Sequence, residues 1–102
     1  MKVTRICGFQ QLTAANLAAA FPLTPVNQPS TGEKPNACWL TASATAVRYT
    51  DDGVTTPTAT IGMRLPVGIA PYLYVGDMNK AKFILESGTP TLDVTYVQVG
   101  PE

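Results

Sequence analysis

Residues 47–66 read VRYTDDGVTTPTATIGMRLP. Apolar and polar side chains alternate as far as Thr50, the alternation stops over an acidic pair and a glycine, and it returns after Pro57. Alternation with a period of two is typical of a β-strand that has one buried face. The stretch therefore predicts two strands joined by a turn, with the second strand around residues 58–63.

Each unusual residue of this stretch has a reason in backbone geometry. Asp52-Gly53 predicts a tight reversal, because glycine adopts positive φ at little cost. The carboxylate of Asp51 or Asp52 can accept hydrogen bonds from amides two residues further along. Pro57 blocks ladder pairing at its own position. We therefore interpret five residues as structural turn residues: Asp51, Asp52, Gly53, Pro57 and Gly62.

A catalytic or metal-binding role for the acidic pair has less support. Carboxylates that cooperate in acid–base catalysis face each other across a cleft, whereas neighbours on a turn point in different directions. A calcium loop needs oxygen ligands in addition to Asp51 and Asp52. The chain has no histidine, and it has no nucleophile or phosphate-loop motif. We predict no catalytic residue, no metal site and no cofactor, and hence that the chain is not an enzyme.

Strand-like patterns continue outside this stretch, with the turn signals DDG, LPVG, GDMN and ESGTP between them. The predicted strands are residues 2–9 with a stop at Gly8, residues 38–50 as one long strand or two short ones, and residues 69–75, 80–86 and 91–99. Leu92, Val94 and Tyr96 form one face of the last strand. Turns about every 10 to 12 residues predict an all-β domain, a small antiparallel β-sandwich or barrel that is jelly-roll-like.

Two segments near the N-terminus do not follow the strand pattern. Residues 10–20, QQLTAANLAAA, favour a helix that Thr13 caps, although an extended conformation is nearly as compatible. Residues 22–35, PLTPVNQPSTGEKP, contain four prolines, which lack the amide hydrogen of a ladder. We predict an ordered proline-rich arm or loop here, at most one short helix, and a single domain over residues 1–102.

The composition limits the possible partners. Seven basic and seven acidic residues leave no net charge, so the basic stripe that nucleic acid requires is not expected. Charged residues make up 14% of the chain, against about 25% in an average domain, which suits burial against a protein partner. No apolar run reaches ~18 residues and MKVTRICGF is not a signal peptide, so we expect no membrane association and synthesis in a cytoplasm. Cys7 and Cys38 are predicted to be free, buried thiols.

Within residues 47–96, the segments VRYTDDG, PTATIGMRLPVG and YVGDMNKAKFILESGTPTLDVTY occur in this order. They resemble a recurrent small structural protein of bacteriophages, whose pattern runs VRYRxDG, PTAxxG, LxxG, a GD turn, an FI strand and a closing VxYY-like strand. Here Thr50 replaces the usual second basic residue, and Val97 follows Tyr96 in place of a second aromatic residue. The resemblance implies a small β-sandwich on a phage head or tail.

On that resemblance we expect a virion structural protein, namely a capsid decoration or cement protein that binds the major capsid protein, forms a homo-oligomer and is located in the virion. A tail, spike or fibre-base component is the alternative. RYTDDGVTTPT is also similar to the hairpin of chitobiase-type C-terminal modules, which implies a carbohydrate-binding accessory module as a second alternative.

Five residues are candidates for a subunit interface: Pro22, Pro25, Pro29, Pro35 and Trp39. An extended arm of residues 22–35 could span up to roughly 45 Å and reach across a neighbouring subunit. Its prolines would restrict the free chain and so reduce the entropy lost on docking. Trp39 could anchor an intersubunit contact; the alternative is that Trp39 packs between the two sheets of the core.

Overall fold

The computed structural model describes residues 2–68, 70–76 and 78–100. Most of these residues lie in eight strands: β1 (Lys2–Leu12), β2 (Phe21–Pro22), β3 (Ala37–Ser43), β4 (Val47–Thr50), β5 (Met63–Leu65), β6 (Tyr72–Val75), β7 (Lys82–Leu85) and β8 (Thr91–Gly100). A short helix, α1 (Ala14–Leu17), and one turn of 3-10 helix (Met78–Lys80) complete the elements. Ile69 of the predicted strand 69–75 and Asp77 of the predicted GDMN turn lie outside the described residues.

The strands form two antiparallel four-stranded sheets, sheet A in the order β1-β8-β3-β6 and sheet B in the order β2-β7-β4-β5. β1 pairs with β8, β2 with β7, β3 with β6 and β4 with β5, so the chain forms one long antiparallel ribbon. Pairing of β3 with β8 and of β4 with β7 rolls this ribbon up. This is the strand order of a jelly roll, and the prediction of a small all-β sandwich is confirmed. Residues 47–66 form the tip of the ribbon.

The core lies between the sheets and follows the alternation of the strands. On β8, Leu92, Val94 and Tyr96 are fully buried, which is the face that the sequence predicts. Phe83 packs against them from sheet B within the same core cluster. The two cysteines, Cys7 and Cys38, are free and buried in this cluster, as expected.

The N-terminal strand is longer than the sequence predicts. β1 continues through Gly8 to Leu12, with register shifts on either side of Ile6. Gly8 does not end the strand; it leaves room for Val26, whose Cβ would lie 2.9 Å from a Cβ added to Gly8. The predicted helix is therefore reduced to α1, which starts after Thr13 and is four residues long. No helix in the described ranges is long and apolar enough to cross a membrane.

Of the two possibilities for residues 38–50, one long strand or two short ones, the structure has two strands, β3 and β4. They lie on opposite sheets because the chain turns at Ala44, which has a φ of 72°. The strand predicted at residues 58–63 is wrong. β5 begins only at Met63, and residues 51–62 form a loop between β4 and β5.

Candidate functional site: two apolar association surfaces

The loop between β4 and β5, residues 51–62, begins with a turn that a carboxylate closes. Asp52 Oδ1 accepts hydrogen bonds from the amides of Val54 (2.9 Å) and Thr55 (2.7 Å). Asp52 Oδ2 accepts a third from the Thr55 hydroxyl (2.6 Å). Gly53 has a φ of 75°, which this turn requires and which glycine adopts without strain. Asp52 and Gly53 thus form a turn, but this turn opens a longer loop and does not join the two strands directly.

A second turn completes the loop. The Thr50 hydroxyl donates to the Thr55 carbonyl at 2.6 Å. The Thr58 amide donates to the Ile61 carbonyl at 2.9 Å, and Thr58 Oγ1 accepts from the Ile61 amide at 3.0 Å. Between the two turns, Pro57 is fully buried and attaches the loop to the body of the domain.

The ends of the loop are tied to both sheets. On the side of sheet A, the hydroxyl of Tyr74 on β6 donates to Asp51 Oδ2 at 3.1 Å. Burial raises the pKa of Tyr74, and the nearby charge of Asp51 raises it further, so this hydroxyl keeps its proton. On the side of sheet B, Arg48 Nη1 donates to the Gly62 carbonyl at 3.0 Å. The loop is therefore tied to the domain by hydrogen bonds at both ends.

This ordered loop presents apolar side chains to solvent. Val54 at the first turn is 87% exposed, Ile61 at the second turn is 51% exposed, and Met63 at the start of β5 is 65% exposed. We call these three side chains the loop surface. Loops that a rigid scaffold positions are common places for binding residues, and apolar side chains held away from the core favour contact with a partner.

The first turn is expected to loosen in acid. The hydrogen bonds from Thr55 and Val54 lower the pKa of Asp52 to about 2 from its ordinary value of 3.8. Because the pKa is depressed in the folded state, the stabilisation is complete above the ordinary pKa and is lost as the pH falls from about 4 to about 2. We expect carboxyl NMR to give a midpoint near 2 and hydrogen exchange at the amides of Val54 and Thr55 to lose protection over the same range. Asp52→Asn should remove this pH dependence, and a midpoint near 4 would contradict the prediction.

The outer face of sheet A carries a second group of apolar side chains, which the strand register places in two rows. Two adjacent rows of side chains cross all four strands on this face: Ile6, Val97, Ala37 and Val75 in one, and Phe9, Thr95, Trp39 and Leu73 in the other. Ile6 and Phe9 on β1 are more than 60% exposed, and Val75 at the opposite edge is also exposed, whereas Val97 and Ala37 between them are fully buried. We call these two rows the sheet A surface. Among the residues in the strands of sheet A, Asp93 is the one charged residue that the register places on this face. Asp93 accepts a hydrogen bond from Gln11 at 2.9 Å.

The outer face of sheet B has the opposite character. Arg48 on β4 and Arg64 on β5 are register partners, and both reach Glu86 just after β7. Arg64 Nε donates to Glu86 Oε2 at 3.0 Å, while Arg48 Nε lies 2.9 Å from the same oxygen without hydrogen-bond alignment. The hydrogen bonds from Arg64 lower the pKa of Glu86. The sandwich therefore has one charged outer face and one apolar outer face.

Trp39 lies on the apolar outer face and not between the sheets. Its register partners are Thr95 and Leu73, and its side chain is half-buried outside the core cluster. Core packing, the alternative assignment, is wrong. Together with Thr95, Ala70 and Pro71, Trp39 lines a shallow, mostly apolar depression of about 490 Å³.

The proline-rich segment 22–35 is folded along its own domain and does not extend from it. Leu23 is buried in the core, and the Thr24 amide donates to the Tyr96 hydroxyl oxygen at 3.0 Å. Further along, the Gln28 amide donates to the Glu33 carbonyl at 2.8 Å. Among the candidate interface prolines, Pro22 and Pro29 are exposed, whereas Pro25 and Pro35 are half-buried. An interface role for these prolines stays a prediction.

The site offers contact surfaces, and its titratable groups are engaged in structural hydrogen bonds. The two aspartates of the acidic pair have separate structural roles. Asp51 accepts a hydrogen bond from the Tyr74 hydroxyl, and Asp52 closes the first turn of the loop. Burial raises the pKa of Tyr49 to about 12, and a hydrogen bond with Tyr72 adds to this. Within residues 2–68, 70–76 and 78–100, no three histidine, cysteine, aspartate or glutamate side chains lie together as metal ligands. That the chain is not an enzyme stays a prediction.

The sequence interpretation missed most of the sheet A surface. Ile6, Phe9, Leu73 and Val75 were assigned to strands, but no contact was expected of them. A signal was present, because both KVTRICGF and YLYV carry apolar residues at odd and even positions. A strand that is apolar on both faces is typical of a sheet covered on both sides.

Comparisons of the chain with protein-family models, with curated proteins and with solved structures found no match.

Proposed function

We propose that this chain is a structural protein of a bacteriophage particle and that it binds to the assembled capsid as a decoration protein. The observation that carries the proposal is the hydrogen-bonded β4–β5 loop with Val54, Ile61 and Met63 exposed on it. The resemblance of residues 47–96 to small phage structural proteins supports it as well, since this segment runs from the tip of the ribbon into β8.

The loop surface has the properties of a contact that forms on a preassembled shell. Because Asp52, Thr58 and Arg48 already hold the loop by hydrogen bonds, docking would cost little additional conformational entropy. Burial of apolar area at the shell would supply roughly 25 cal/mol for each Å² removed from water. Binding to the shell would also stabilise the folded chain by mass action.

Purified particles are expected to contain the chain in stoichiometric copies, with electron-microscopy density for it on the capsid surface. Density on the tail, spike or fibre base would replace the decoration role with the alternative virion role. Particles that lack the polypeptide altogether would end the proposal in both forms.

The contribution of the loop surface can be measured with particles stripped of the chain. Val54→Glu is expected to weaken rebinding at least ~10-fold, because it would bury a carboxylate in an apolar contact. Thr56→Glu adds the same charge at an exposed position of the same loop and is the matched control. Equal binding of the two variants would show that Val54 does not contact the shell.

A further inference from the structure

The outer face of sheet B carries a surplus of positive charge. Two adjacent rows of side chains lie on it: Pro22, Lys82 and Thr50 in one, and Ile84, Arg48 and Arg64 in the other. Glu86, just after β7, contacts both arginines. Three cations and one carboxylate leave two positive charges in excess on this face, although the whole chain is neutral.

Glu86 engages only some of the donors of the two arginines. Arg64 reaches both oxygens of Glu86 through Nε alone, at 3.2 and 3.0 Å. Arg48 donates through Nη1 to the Gly62 carbonyl, and its Nε is buried without an aligned acceptor. In the described part of the chain, no hydrogen bond engages the two Nη groups of Arg64, whose side chain is 53% exposed. A guanidinium held in place with free Nη groups is suited to bind a further carboxylate.

Lys82 provides a second cation at a defined distance from Arg64. It is exposed, and no ion pair in the described ranges engages it. Two strand spacings across the sheet and one two-residue step along it separate Lys82 from Arg64, which is about 12 Å between their backbones. In an extended chain, side chains four residues apart point to the same side and are about 13 Å apart. Two carboxylates with this spacing would meet Lys82 and Arg64 at the same time.

The charge pattern favours a protein segment over a nucleic acid. Nucleic acid is bound by faces that neutralise several phosphates in succession, whereas this face has only two positive charges in excess. Glu86 lies beside the arginines and would repel a continuous phosphate backbone. A protein segment can place single carboxylates at Lys82 and Arg64 and have neutral residues elsewhere.

We propose that the outer face of sheet B binds an extended acidic segment of a partner protein, in which two carboxylates four residues apart pair with Lys82 and with the guanidinium of Arg64. Because these charges are near the surface, the contact orients the partner and speeds its binding more than it adds affinity. The inference does not depend on the virion role, because the segment is defined by its charge spacing and the test uses the isolated chain.

NMR titration of the purified chain with the blocked peptide Glu-Ser-Thr-Ser-Glu tests the proposal. In about 0.01 M salt, the side-chain signals of Arg64 and Lys82 should shift and saturate with a Kd of about 1 mM, and the binding should weaken at about 0.15 M salt. The peptide Glu-Ser-Glu-Ser-Thr has the same charge but places its carboxylates two residues apart, so it should bind at least ~3-fold more weakly.

Lys82→Gln and Arg64→Gln should each weaken binding of the first peptide at least ~3-fold. Lys82→Gln removes no ion pair of the described residues and so gives a test that leaves the fold intact. Lys2→Gln removes an equal charge from an exposed position on sheet A and should bind like the parent chain. No saturable shift up to about 10 mM peptide, equal binding of the two peptides, or tighter binding of a thymidine oligonucleotide would overturn the proposal.

Discussion

Replacing Phe83 with alanine is expected to lower the free energy of unfolding by about 3–5 kcal/mol. The Phe83 side chain is fully buried at the centre of sheet B, where it pairs with Phe21 on one side and Tyr49 on the other. Its ring lies 5.3 Å from that of Tyr49, so truncation removes an aromatic contact and leaves a cavity between the sheets. Domains of this size are stable by only about 5–15 kcal/mol, so the loss is a large part of the total.

Urea unfolding monitored by circular dichroism measures the effect, and Phe9→Ala is the matched control. The same atoms are removed there from a side chain that is 61% exposed, so the expected change is within about 0.5 kcal/mol. Similar losses for the two variants would mean that Phe83 is not the centre of the core.

Gly62→Ala is expected to destabilise the domain by about 2–5 kcal/mol. Gly62 has a φ of 129°, a conformation that residues with a side chain rarely adopt. In addition, a Cβ atom at this position would lie 2.8 Å from the carbonyl oxygen of Tyr49, which belongs to the neighbouring strand β4. Backbone atoms of a paired strand cannot move aside easily, so β5 would separate from β4. Arg48 would then lose its hydrogen bond to the Gly62 carbonyl.

Gly32→Ala separates backbone strain from steric overlap. Gly32 also has a positive φ, 73°, but an added Cβ would meet no atom within 4 Å. The expected loss is about 1–2 kcal/mol, from the conformation alone. Thermal melting of both variants should therefore show a clearly larger decrease for Gly62→Ala, and equal decreases would show that the contact with Tyr49 relaxes without cost.

Local patterns predicted much of the fold. The alternation of Leu92, Val94 and Tyr96 with polar residues assigned the buried face of β8 correctly, because that face must pack against the opposite sheet. The first turn of residues 51–62 was predictable, because Asp52 accepts hydrogen bonds from the amides that closely follow it and these contacts are local in sequence. The length of the β4–β5 loop was not predictable, because residues 58–62 have the alternation of a strand but do not pair with another strand in the structure.

The candidate surfaces depended on information that no local window contains. KVTRICGF indicated a strand, but the extension of this strand to Leu12 comes from its pairing with β8, which is distant in the sequence. For Trp39 the sequence left both a place in the core and a place at an interface open. Its place on the outer face follows from the pairing of β3 with both β6 and β8.

The amino-acid order alone was sufficient for most of the strands, for the buried face of β8 and for the all-β class, because those follow from side-chain period and backbone preference over a few neighbouring residues. The tertiary structure decided which strands share a sheet. It therefore also decided which residues lie on each outer face and how polar that face is. Ile6, Val97, Ala37 and Val75 are distant in the chain and become one row only when β1, β8, β3 and β6 pair. A row of apolar side chains assembled from four separate strands is a product of long-range hydrogen bonding, which short-range patterns do not encode.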